Sequence, residues 1–138
     1  MRTNKESAVL VCVTAQNSCD RLIRIGAEYA KINKCALHVL MVHPPISDYI
    51  AISSEMEYLY QTAKDNDGDM SIVFDNDAPQ VAADFVKKLH AERIFTGMPD
   101  GRLNGFIIRF HEAMPDVPIS MVAKDNTVYN MEKEKAMA

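Results

Sequence analysis

The sequence predicts an α/β fold, a five-stranded parallel sheet sandwiched between helices. Three observations carry that expectation. Apolar runs of strand length recur near Ala8, Ala36, Met70, Arg93 and Pro118. Between them the apolar residues fall at spacings of three and four, the period of one helix face. The connections are short and rich in Asn, Asp, Pro and Gly, which are turn formers. Such alternation implies parallel strands with helices on both faces and right-handed crossovers.

The first run, Ala8 to Thr14 (AVLVCVT), is continuous and β-branched, as a strand covered on both faces should be. Asn17 or Ser18 can cap the next helix, and Asp20 places a carboxylate in its first turn. Cys19, Leu22, Ile23, Gly26, Ala27 and Ala30 form its buried stripe. A second strand, Ala36 to Val42, is stopped by His43-Pro44-Pro45, because two prolines cannot continue a strand interior. The following helix shows Tyr49, Ile52, Met56, Leu59, Tyr60 and Ala63 on one face and ends in the polar turn 65–69.

The third strand is Met70 to Phe74. Asp75-Asn76-Asp77 and Pro79 then open a helix with Val81, Ala82, Phe85, Val86 and Leu89 as its stripe. Arg93 to Thr96 reads as the fourth strand. Leu103, Phe106, Ile107, Phe110 and Met114 mark the inner face of a fourth helix. Pro118 to Ala123 is the last strand. Residues 124–138 lack a sustained apolar period and read as a flexible tail, so the domain spans 8–123 after a lead-in at 1–7.

Composition excludes several classes. At 138 residues the chain can bury a core without staples. A net charge of −4 with mixed signs gives no basic stripe for nucleic acid. No apolar run is long enough to span a bilayer. The polar opening 1–7 predicts no export signal, and Cys12, Cys19 and Cys35 form no C-x-x-C pair. A reduced cytoplasmic setting is expected.

No catalytic residues are expected, since Ser, Cys and His are scattered and no G-x-S-x-G elbow occurs. His38 and His43 stand five apart on a strand and its exit, hence on opposite sides, and no metal site is expected. The acidic run 65–77 fails the calcium-loop spacing, with Gly68 fourth and Asn76 twelfth from Asp65. A receiver domain would need acidic residues where Thr14-Ala15-Gln16 stand.

Ligands in such folds bind beyond the carboxyl ends of the strands. The stretch 95-FTGMPDGRLNGFIIRF-110 lies on that edge and carries Gly97, Gly101 and Gly105, three of the five glycines. It is neither a Walker loop nor G-x-G-x-x-G. Its backbone N–H groups lead into a helix N-terminus that favours an anion, with Asn104 or Arg102 in reach of a phosphate. The same glycines also suit a tight strand-to-helix turn at positive φ. Spacing leaves both readings open.

Three stretches together resemble the universal stress protein family: Val9 to Thr14, Ser18 to Lys31, and Ile94 to Val122. Arg21-Leu22-Ile23-Arg24 followed by Ala27 is similar to the stress-protein domain of KdpD-type sensor kinases. The resemblance implies a five-stranded fold of the adenine nucleotide alpha-hydrolase type. It also implies a pattern G-x2-G-x9-G-[S/T] after the fourth strand and an aspartate ending the first. Thr14 stands at the aspartate, Gly97 and Gly105 match glycines, Gly101 matches loosely, and Phe106 replaces the hydroxyl residue.

The implied function is ligand sensing or signalling without catalysis. The implied ligand is ATP, AMP or a cyclic dinucleotide, its base near Thr14, Ala15 and Val42. Its phosphate would lie over Gly97, Met98, Gly101, Asn104 and Gly105. Two alternatives remain: an interaction module without nucleotide that regulates a kinase or ion transporter, and an ATP-binding stress protein with weak hydrolysis. The resemblance further implies a homodimer through the last strand, Pro118 to Ala123, whose edge would otherwise be exposed.

Overall fold

The computed structural model describes residues 7–98 and 103–132. Its elements in chain order are β1 (Ala8–Val13), a 3-10 turn (Asn17–Cys19), α1 (Asp20–Asn33), β2 (Ala36–His43) and α2 (Ile50–Asp65). After them come β3 (Asp69–Phe74), α3 (Ala78–Leu89), β4 (Ala91–Gly97), α4 (Gly105–Ala113), β5 (Ile119–Val122) and β6 (Val128–Met131).

The strands form one sheet in the order β3-β2-β1-β4-β5-β6. The first five are parallel and β6 runs antiparallel to β5. Because β1 lies between β2 and β4, strand order reverses there, and the carboxyl ends of β1 and β4 flank the crevice where ligands of such sheets sit.

Period-two alternation divides the core between the two faces. Val9, Val11 and Val13 of β1 pack under α1 and α2 with Leu22, Ile23, Leu59 and Ala63. Leu10 faces α3 and α4 and packs with Ala82, Val86, Ile107 and Phe110. The two layers explain why β1 reads as a continuous apolar run. Gly26 sets how closely α1 lies on the sheet, since a Cβ there would overlap Val11 Cγ2.

The helix starts follow local chemistry. Asp77 caps α3 by accepting from Gln80 N–H at 3.3 Å, with Pro79 in the first turn, as the sequence predicts. Asn17 and Ser18 do not cap α1. They belong to the 3-10 turn, and Asp20 is held instead by Arg24 and by the Tyr58 hydroxyl at 2.6 Å. Those hydrogen bonds hold the Asp20 carboxyl below the usual range although its burial opposes them. Tyr49 and Tyr60 of the expected α2 stripe are exposed, and so is Leu103, which precedes α4.

The sheet has six strands rather than five. Residues 124–132, expected to be part of a flexible tail, contain β6, and its register runs from Ile119 opposite Met131 to Val122 opposite Val128. The strand escapes a periodicity reading because Val128, Tyr129 and Asn130 are all exposed. Remote groups hold it. Ser120 Oγ donates to Asn130 Oδ1 at 2.7 Å, and Arg21 donates to the Ala123 carbonyl at 2.9 Å beside the β5–β6 turn. The outer edge of β5, expected to be open for a second copy, is therefore paired within the chain. Residues 133–138 lie outside the described part, as do residues 1–6 of the lead-in. Among the described residues no helix is long and apolar enough to cross a membrane.

Candidate functional site

A cleft of about 170 Å³ opens at the carboxyl ends of β1, β2 and β4, on the α3/α4 face. Thr14, Val42 and Asn104 line it together with Cys12, Thr96 and Phe106. Ala78 and Ala82 of α3 form one wall, and Leu40 of β2 lies deep within it. The sequence reading had singled out Thr14, Val42 and Asn104, from three separate segments. The fold brings them to one place.

Each side chain is aimed by its element. Thr14 follows β1 and is exposed, with its hydroxyl 3.6 Å from Cys19 Sγ. Val42 packs at the end of β2 against the α3/α4 core. Asn104 extends from the turn before α4 and accepts from Ile107 N–H at 3.0 Å, closing the first turn of that helix. Phe106 enters the cleft and stacks on Phe110 at 6.2 Å between ring centroids.

The other expected residues lie around the cleft rather than in its lining. Ala15 packs on the opposite core, beneath α1 and α2. Gly97 ends β4, paired with Val122, and its α-carbon faces Leu22. Met98 donates its N–H to the Val122 carbonyl at 3.0 Å. Gly105 opens α4 with no protein atom within 4 Å of where a Cβ would stand. Neither Gly97 nor Gly105 has a left-handed backbone, so a turn at positive φ does not explain them. Gly101 and Arg102 lie outside the described residues.

Among the described residues, none that lines the cleft carries a charge. Burial pushes the Cys12 thiol up to about 12, so it stays protonated and is a poor nucleophile. An ion pair joins the adjoining elements: Arg109 Nη2 meets Asp77 Oδ1 at 3.1 Å, linking the α3 cap to α4. Among the described residues no three His, Cys, Asp or Glu side chains group as a metal site requires. A broader trough of about 890 Å³ lies between the far ends of α1 and α2. Its mixed charges, Lys31 and Arg24 against Glu28, Asp65 and Asp67, face solvent at the amino ends of the strands. The small cleft is the better candidate, because it lies at the reversal of strand order.

No protein-family model and no curated protein matches the sequence. Solved structures match in shape. The universal stress protein from Archaeoglobus fulgidus in complex with dAMP superposes with a TM-score of 0.65 at 15% identity, over 83% of this chain and 96% of that one. The chain has the universal stress protein fold. A universal stress protein in complex with cAMP gives a TM-score of 0.61 at 16% identity, over 87% of this chain and 98% of that one. A protein of the universal stress protein family from Burkholderia pseudomallei gives 0.59 at 15%, over 85% and 96%.

Within this universal stress protein fold, the sequence reading missed Cys12, Leu40, Ala78 and Thr96 as lining residues. The available signal was strand alternation. Leu10 and Leu40 share the α3/α4 face, and Cys12 and Val42 stand two residues further along the same strands. Thr96 closes an otherwise apolar run just before Gly97, and a lone hydroxyl there was the cue.

Proposed function

We propose that the chain is a nucleotide-binding sensor that takes an AMP-type adenine nucleotide, base first, into the cleft. The observation that carries this reading is an uncharged cleft at the strand-order reversal, with the N-terminus of α4 beside it. Asn104 occupies the Ile107 N–H, which leaves the N–H groups of Gly105 and Phe106 for a phosphate. Two proteins of the same fold are complexed with dAMP and with cAMP, which supports a ligand of this size. Phe106 has no hydrogen-bond donor on its side chain, so a triphosphate gains less here than a monophosphate does. The protonated Cys12 thiol and the lack of charge among the described lining residues favour binding over catalysis. Three free cysteines fit a reduced cytoplasmic setting.

A second reading is an interaction module that regulates a kinase or ion transporter, as the KdpD-type resemblance implies. Phe106 favours it, because its ring takes up space in the cleft. The two readings separate in one experiment. The purified protein is denatured and the supernatant analysed for released nucleotide, then melting is followed with AMP, cAMP, ATP and a cyclic dinucleotide. Nucleotide binding predicts a rise in melting temperature that is largest with AMP. No rise with any of the four at millimolar concentration removes the nucleotide reading.

A further inference from the structure

Thr96 is 7% exposed, yet it lines the cleft, and its hydroxyl bonds no group among the described residues. It stands next to Phe95, which faces the α1/α2 core, so alternation turns Thr96 to the other face, where the cleft lies. The Thr96 oxygen is not among the fully buried unpartnered atoms, so it is reached from the cleft, where a ligand or water can supply its bond. Beside it the Cys12 thiol is kept neutral by burial, so among the described residues the floor of the cleft carries hydrogen-bonding groups and no charge.

The walls define what can reach that floor. Leu40, Val42 and Phe106 are apolar and suit a flat ring. At about 170 Å³ the space falls below the roughly 300–1,000 Å³ of sites that enclose a whole drug-sized ligand. One ring enters and the rest of the molecule stays outside, towards α4. We propose that Thr96 reads that ring, its hydroxyl hydrogen-bonding a ring nitrogen or exocyclic amine of a neutral nitrogen heterocycle. The identity of the ring rests on the nucleotide reading above; the role of Thr96 rests on a hydroxyl in the cleft lining that no side chain among the described residues occupies. A site that holds a polar group for a ligand rejects analogues that leave the group unpaired, which makes Thr96 the selective element of the cleft.

Free adenine is the probe, titrated into the full chain while the Thr96 methyl resonance is followed. It should shift that resonance, bind about tenfold more weakly to Thr96→Val, and bind within about threefold of wild type to Thr96→Ser. Valine keeps the shape and removes only the hydroxyl, and an unchanged melting temperature of the unliganded variant verifies the fold. If valine prevents folding, the methyl shift and the serine variant decide. Equal adenine affinity in wild type and Thr96→Val, no adenine binding, or binding that leaves the Thr96 methyl unmoved overturns the assignment. AMP titrated in parallel separates the two claims. AMP binding untouched by Thr96→Val sinks the role of Thr96 and leaves the nucleotide reading standing. Adenine bound at Thr96 without any AMP binding does the reverse.

Discussion

Nη2 of Arg93 lies 2.8 and 3.0 Å from the two carboxylate oxygens of Glu132, so the fourth strand holds the segment that follows the sixth. Nη1 of the same guanidinium donates to Ser120 Oγ at 3.0 Å, and its carbon lies 5.5 Å from the Tyr29 ring centroid. Arg93→Ala removes all three contacts. Its side chain is only 14% exposed, and urea unfolding should show a loss of about 1–3 kcal/mol. Glu132 is 56% exposed, and Glu132→Ala should lose less than about 1 kcal/mol. Equal losses in the two variants would contradict this division.

Pairing of β5 with β6 bears on self-association. Arg21→Ala combined with Glu132→Ala loosens the β5–β6 hairpin from α1 and β4 without touching the cleft. Light scattering should then show a larger, concentration-dependent mass than for the wild type, as copies meet through the freed β5 edge. Backbone amides of β5 and β6 should exchange faster in the same variant. An unchanged mass with faster exchange would mean that β5 does not attract a second copy.

Gly26 offers a test of helix–sheet contact. Replacing glycine inside a helix gains about 1 kcal/mol of propensity at best, and β-branched valine gains less. Against that, its Cβ overlaps Val11, whose β-branched side chain has little freedom to move aside. Overpacking of this kind costs about 1–3 kcal/mol for smaller intrusions. Thermal melts of Gly26→Val should therefore show a net loss above about 2 kcal/mol. A variant as stable as wild type would show that α1 can lift from the sheet.

Asn104 has two separable duties. Asn104→Ala removes the cap of α4 and should cost about 1 kcal/mol, together with nucleotide affinity. Asn104→Asp keeps a capping oxygen, so stability should stay near wild type. Its charge, however, lies where the phosphate is proposed, and AMP should bind at least tenfold more weakly. Calorimetric titration beside thermal melts reads both effects, and tight AMP binding by the aspartate variant would move the phosphate away from α4.

Cys12 makes stability depend on alkaline pH. Burial raises its thiol from 9.0 to about 12, so the unfolded chain releases this proton first as pH rises. Between those values the native state binds more protons than the unfolded state. The contribution of the neutral thiol is complete below pH 9 and is lost on the way to 12, at about 1.4 kcal/mol per pH unit. Cys12→Ala has no such proton. The stability difference, wild type minus variant, should fall by about 1 kcal/mol from pH 8 to pH 10 in denaturant titrations. A difference that is flat with pH would mean that water reaches the thiol.

Much of the fold was legible because its signals are local. The buried run of β1, the Asp77 cap with Pro79, and the stripe of α1 each follow from neighbours in sequence. β6 was not, because Val128, Tyr129 and Asn130 stay exposed and its support comes from Ser120 of the neighbouring strand and from Arg93 far back in the chain. At the site, Thr14 and Asn104 lie in the loops after the carboxyl ends of β1 and β4, while Val42 came from the family resemblance. Ala15 and Gly97 share those loops but face the α1/α2 layer, and only the strand register decides that. Attention to the glycines hid Thr96, one residue earlier, whose side chain does reach the cleft.

The antiparallel sixth strand also sets an order in time. A ribosome delivers β5 before β6, so for the interval of a few residues the nascent sheet presents an unpaired border, Ile119 to Val122, apolar except for Ser120. Such borders recruit other nascent chains on crowded polysomes. The arginines that later clasp the hairpin, Arg21 and Arg93, are already in place by then, waiting in the folded layer. Synthesis of residues 124–132 thus closes the sheet from within, and a message stalled before them would leave a product prone to aggregate.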